Sequence, residues 1–170
     1  ISGSMFRNRT LGNVTISNTG AGNYSVDTAF QQLSIESLTL KDGLVSIGTA
    51  AFVSATINTF TIEDQTNPYS IGQQAFYNAT FQTFNLGANI SSIGPDAFES
   101  GTLDTNPMNM NLIFNNQDNV VISGNMFTNR TLDNVTISNT GSGNYSVHRV
   151  AFYEQTINSL TLKDGLVSIG

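Results

Sequence analysis

His148 is the single histidine of this 170-residue chain. A lone imidazole with no base, acid or metal ligand at a defined spacing is read as a surface residue rather than a catalytic group. The acidic residues are scattered, and no carboxylate pair recurs at the spacing of neighbouring strands, as general acid–base chemistry requires. The oxygen-rich stretches EDQTN at 63–67, DTN at 104–106 and NNQDN at 115–119 offer too few carboxylates to converge on calcium, and are read as solvated loops. No phosphate-binding glycine loop and no nucleophile motif occurs. Cysteine is absent, which removes disulfides, thiolate metal sites and thiol nucleophiles. The chain is therefore read as a non-enzyme, without metal or cofactor.

What remains is the chemistry of hydroxyls and amides. Thr15, Thr39, Thr61, Asn85, Thr136 and Thr161 stand at one fixed offset from a recurring Phe, with Ile113 in the same series. Two places earlier stand Asn13, Ser37, Thr59, Thr83, Asn111, Asn134 and Ser159. Set on one sheet face, they form a flat uncharged array suited to a glycan, a protein or another copy of the chain. The same residues also suit an ordinary solvated β-face with cross-strand Thr contacts. Eight N-x-S/T sequons, at Asn8, Asn13, Asn23, Asn78, Asn89, Asn129, Asn134 and Asn144, are candidate glycosylation acceptors. Glycans on Asn13 and Asn134 would obstruct the face.

Composition narrows the partners. Charged residues make up only 11% and hydrophobic ones 39%, so a core exists and its polar cover is built from Asn, Thr, Ser and Gln. A net charge of −6 with six basic residues leaves no phosphate-neutralising patch, which argues against nucleic acid. No apolar run is long enough to span a bilayer.

The elements that must position the Thr and Asn rows show themselves by repetition. NRTLGNVTISNTGAGNYSV at 8–26 returns as NRTLDNVTISNTGSGNYSV at 129–147. Residues 1–26 match 122–147 in 22 of 26 places, and 29–48 match 151–170 in 15 of 20. The chain opens at Ile1 and stops at Gly170 partway through a unit, so it is expected to be a window on an array repeating every 121–122 residues. The doubled segment preserves core positions, which packing requires, and the exposed NTG-x-GNYS loop, which packing is not expected to require; a tandem duplication explains both, and the alternative is that the loop contacts something periodic.

Inside that long unit runs a shorter period. Turns ISGSMF, VDTAF, IGTAAF, IGQQAF, IGPDAF, ISGNMF and VHRVAF end in Phe6, Phe30, Phe52, Phe76, Phe98, Phe127 and Phe152. Five residues on comes an apolar residue: Leu11, Ile35, Ile57, Phe81, Leu103, Leu132 or Ile157. Two more follow at plus eight and plus ten, as Leu38 and Leu40 do after Phe30. After Phe98 the stretch DTNPMNMN intervenes, and Leu112 and Phe114 are expected to fill the slots. This L-x-x-L-x-L cadence alternates as a strand with one buried face does, and no single turn can bury its apolar stripe alone. The expectation is one β-dominated solenoid over 1–170, of about seven turns starting near 1, 26, 47, 71, 93, 122 and 147. It has a parallel sheet on one face, short helical or 3₁₀ turns at the A-F motifs on the other, and a ladder of Phe inside.

The cadence in IGTAAFVSATINTFTI and IGQQAFYNATFQTFNL resembles the BspA-type leucine-rich repeats, and the likeness covers the whole chain. Three places after the Phe, where that family carries a small residue, stand mixed residues including Arg9, Leu33 and Gln155. The resemblance implies a solenoid on a cell-surface or secreted protein, often credited with adhesion. On this reading the chain is an extracellular or cell-surface structural repeat protein whose rods associate end to end into a fibre. The alternative is an adhesin module that binds host or matrix protein, or carbohydrate, through the concave strand face.

Overall fold

The computed structural model describes residues 1–3, 5–18, 20, 22–102, 106–116, 119–153 and 155–170. Leu103, read above as a buried slot, and the loop positions 104–105 and 117–118 lie outside them. The chain winds through alternating long and short strands. The long ones are β1 (Thr10–Ile16), β3 (Ser34–Leu40), β5 (Thr56–Ile62), β7 (Thr80–Asn85), β9 (Met108–Phe114), β11 (Thr131–Asn139) and β13 (Thr156–Leu162). The short ones are β2 (Tyr24–Val26), β4 (Leu44–Ile47), β6 (Tyr69–Ile71), β8 (Ile90–Ile93), β10 (Val120–Ile122), β12 (Tyr145–Val147) and β14 (Leu166–Ile169). Every pairing recorded between them is parallel. The result is a parallel-strand solenoid with almost no helix.

The coil has three hydrogen-bonded sides rather than the expected sheet and row of helical turns. The long strands make one side, in the two runs β1-β3-β5-β7 and β9-β11-β13, and the Leu/Ile/Tyr-rich short strands a second side, β2-β4-β6-β8 and β10-β12-β14, that the sequence reading did not separate. On the third side the amides of Phe6, Phe30, Phe52, Phe76 and Phe98 donate to the next coil: Phe52 to the Ala75 carbonyl at 2.7 Å, Phe76 to Ala97 at 2.8 Å, Phe98 to Met126 at 3.0 Å. Among the described residues only Thr28–Phe30 forms a 3₁₀ helix; the other A-F motifs, Pro95 included, are hydrogen-bonded turns. The reason is in the backbone. Residues two before the Phe (Ala50, Gln74, Asp96, Asn125) and two after it (Asn8, Gln32, Ser54, Asn78, Asn129) have φ between 52° and 60°. Left-handed residues on both sides reverse the chain sharply and stop a right-handed helix from propagating.

The core runs down the axis. Phe6, Phe30, Phe52, Phe76, Phe98, Phe127 and Phe152 stack one on the next with ring centroids 5.2–5.4 Å apart. Phe60, Phe81 and Phe84 lie against this column, Phe60 and Phe84 edge-on to Phe76 at 5.3 and 5.4 Å. Burying each ring contributes about 1.5–3 kcal/mol, and each good aromatic pair adds roughly 0.5–1.5 kcal/mol.

Each long strand except β9 carries the same irregularity. Ile35 and Leu38 both face inward with two outward residues between them, as do Ile57 and Phe60. The bulge-like step recurs in successive coils from β1 to β7, so these strands stay in register across it. Strand β9 alternates strictly, with Met108, Met110, Leu112 and Phe114 buried. It pairs Met108 with Leu132, Met110 with Val135 and Leu112 with Ile137, so its register must shift against bulged β11. The slots assigned above to Leu112 and Phe114 therefore belong to Met110 and Leu112. Among the described residues no ladder pair joins β7 to β9, nor β8 to β10, and a single pair, Ile90 with Phe114, bridges the seam.

Candidate functional site

The outward rows of the long-strand sheet follow directly from this register. Asn13, Ser37, Thr59 and Thr83 are paired in sequence, and so are Thr15, Thr39, Thr61 and Asn85. Beyond the seam Asn111, Thr136 and Thr161 continue one row. Thr15, Thr83, Asn85 and Thr161 are exposed, whereas Thr39, Thr59, Thr61 and Thr136 are half-buried between their neighbours. Amides order the distal half: Asn134 Nδ2 donates to Asn109 Oδ1 and to Asp133 Oδ2, both at 2.9 Å, and Asn158 Nδ2 to Asp133 Oδ1 at 2.9 Å. The face is thus a lattice of neutral donors and acceptors. Glu36 and Asp133 supply its acidic groups.

One further outward row escaped the reading from sequence, because it exists only where the bulge adds an extra outward residue. It consists of Gly12, Glu36, Asn58 and Gln82. Facing it across the buried Ile35 and Ile57 is a row of hydroxyls, Thr10, Ser34, Thr56 and Thr80, paired strand to strand. Thr80 Oγ1 donates to Thr56 Oγ1 at 3.3 Å.

The loops between long and short strands carry amide and carboxylate caps. Buried Gln65 accepts from the Leu44 amide at 2.9 Å and donates to the Glu63 carbonyl at 2.7 Å. Asp42 accepts from both the amide and the hydroxyl of Thr66, at 2.8 and 2.7 Å, which holds its carboxyl below the usual range. The repeated NTG-x-GNYS loop belongs to this system. Asn139 is buried, accepts from the Asn116 and Gly141 amides at 3.1 Å and donates to the Gly143 carbonyl at 2.7 Å. Packing therefore does require much of that loop, contrary to its apolar-poor appearance. Tyr24, Tyr69 and Tyr145 pin the short strands, their hydroxyls donating to Lys41, Leu86 and Lys163 carbonyls.

The sequon asparagines divide by environment. Asn8, Asn13, Asn23, Asn134 and Asn144 are exposed. Asn89 and Asn129 are half-buried and spend Nδ2 on the Gln65 and Ser100 carbonyls, and Asn78 accepts from the Gly101 amide. Asn8, Asn78, Asn89 and Asn129 also have positive φ, between 55° and 72°, a conformation Asn tolerates better than most residues.

His148 is exposed, and its Nδ1 accepts from the amide of Val150 at 3.4 Å. Among the described residues no cluster of three His, Asp or Glu could hold a metal ion, and no helix is long and apolar enough to cross a membrane. The arrangement can hydrogen-bond and present a surface.

Comparison with known proteins accords with this geometry. The family model of the BspA type leucine rich repeat region matches in six copies, over residues 1–104, 23–140 and 120–170. Searches of curated proteins and of solved structures return no match. With the repeat matched from end to end and each match falling on coils that share one hydrogen-bonded plan, the chain belongs to the BspA-type leucine-rich-repeat family.

Proposed function

We propose that this chain is a stretch of an extracellular or cell-surface adhesion solenoid, and that the long-strand face is its contact surface for a protein or glycan partner. The observation that carries the reading is the registered Thr/Asn/Ser lattice, in which Thr15, Thr39, Thr61 and Asn85 line up coil to coil. A rigid, neutral array on a sheet loses little conformational entropy on binding and selects by hydrogen-bond geometry rather than charge. The test is adhesion of the purified chain to immobilised matrix proteins and a glycan panel. Changing Thr39, Thr61 and Thr161 to Lys should weaken binding at least tenfold; unchanged binding excludes the face.

End-to-end association is the second reading, favoured by one comparison of equivalent residues. Leu160 is 42% exposed and Ile169 65%, while their copies Leu38 and Ile47 are buried under the next coil. A further coil, of the same chain or of another copy, covers them equally well, and a head-to-tail contact that does not close produces a filament. Negative staining that finds only dispersed short rods removes the fibre reading.

A further inference from the structure

The bulge shared by β1, β3, β5 and β7 does more than bend the strands. It opens a groove that runs along the solenoid axis near the N-terminal ends of these strands. One wall is the hydroxyl row Thr10, Ser34, Thr56 and Thr80; the other is Gly12, Glu36, Asn58 and Gln82. The groove comprises two hollows of about 400 and 350 Å³ that share Thr56 and Asn58 and so run into each other. Half-buried Leu11 lies at one end and half-buried Phe81 near the other, where Asn106 and Pro107 from the long turn before β9 close it.

Three properties define what fits. The walls are neutral apart from Glu36, and each polar group is a hydroxyl or amide that both donates and accepts. Leu11, Phe81 and Pro107 add apolar patches suited to the C–H faces of a ring. The wall groups repeat once per coil, at a strand spacing of roughly 4.8 Å. An extended peptide advances about 3.3 Å per residue and falls out of step with that repeat. A straight chain of sugar rings, each about as long as one strand spacing, stays in step.

We propose that this groove binds a linear, neutral oligosaccharide lengthwise, one ring per coil across β1, β3, β5 and β7, with Asn106 and Pro107 as the end stop. The proposal rests on the adhesion reading and names a ligand class and a subsite for it. The ring hydroxyls bridge between the two walls, and the last ring lies against Phe81.

The experiment is isothermal titration with cello-oligosaccharides and chito-oligosaccharides of one to six rings, with the curved malto-oligosaccharides as the shape control. In at least one straight series, affinity should rise at least tenfold from two rings to four and level off beyond. The double variant Asn58→Lys, Gln82→Lys, both exposed positions, should lose at least tenfold for four rings while keeping the parent circular dichroism. No binding, binding without length dependence, equal affinity for the malto series, or an unaffected Asn58/Gln82 variant overturns the groove. If adhesion still falls with the Thr-row variants, only the groove is lost; if adhesion ignores both sets, the face reading fails as well.

Discussion

The guanidinium of Arg130 donates from Nη1 to the main-chain carbonyl of Ala79, 2.7 Å away and 51 residues earlier. It also reaches the Phe98 carbonyl at 2.6 Å and that of Phe76 at 3.1 Å, and the residue is 1% exposed. In regular coils the carbonyl three places after the motif Phe accepts from the next strand: Ala55 from Thr80, Leu33 from Thr56. At Ala79 it is the side chain of Arg130 that donates to this carbonyl. A buried cation thus staples the seam where the strand ladders are interrupted.

Arg130→Met should therefore destabilise the protein by about 3 kcal/mol or more, since it strips several buried carbonyls of a charged donor. Arg130→Lys should recover only part, because an ammonium cannot reproduce the fork. Urea unfolding of the two variants measures this, and a loss below about 1 kcal/mol for Arg130→Met would contradict the staple.

The Phe column predicts a gradient of cost. Phe76 packs against Phe52, Phe60, Phe81, Phe84 and Phe98, so Phe76→Ala should cost about 3–5 kcal/mol. Phe6 touches only Phe30 among the rings and is half-buried, so Phe6→Ala should cost clearly less. Thermal melts of both variants test the order.

One glycine of the repeated loop marks a close approach between coils. A Cβ on Gly141 would lie 2.3 Å from the Asn116 carbonyl oxygen. Gly141→Ala should cost about 1–3 kcal/mol by overpacking. The same unfolding assay reads it, and an unchanged midpoint would contradict the close approach.

Tyrosine titration sets an alkaline limit. Burial, with Asp42 and Glu63 adding to it, pushes the Tyr24 hydroxyl up to about 12. Burial, then Asp64, raises Tyr69 as well. A folded-state value above the unfolded one means that stability is complete below pH about 10 and falls as pH rises towards 12. Tyr24→Phe should flatten that fall while costing about 1 kcal/mol at neutral pH, through its lost hydrogen bond to the Lys41 carbonyl at 2.6 Å. Chemical unfolding at stepped pH reads both effects; an alkaline loss identical in the variant would refute the assignment.

Sequon use should follow side-chain commitment. Secreted from a eukaryotic host, the chain should carry glycans at exposed Asn13, Asn23 and Asn144 and lack them at Asn89 and Asn129, whose Nδ2 groups are already donated. Glycopeptide mass spectrometry decides it, with full occupancy at Asn129 as the contrary result.

The sequence by itself determined the coil. Apolar residues at plus five, eight and ten from each Phe can be buried only by stacking coil on coil, and the A-F pair marks the turn because a small Ala admits its neighbour's backbone. The outward rows at Thr39 and Ser37 followed from the same alternation. Tertiary structure alone decided three things. The short strands formed a second ladder, since three or four apolar residues acquire a sheet only when the coil before and after supplies partners. The slots after Phe98 went to Met110 and Leu112, because register is set by pairing with β11 and not by counting from the Phe. Arg130 became a buried staple because the Phe76, Ala79 and Phe98 carbonyls of earlier coils converge on it, a non-local fact that no stretch of residues carries within itself.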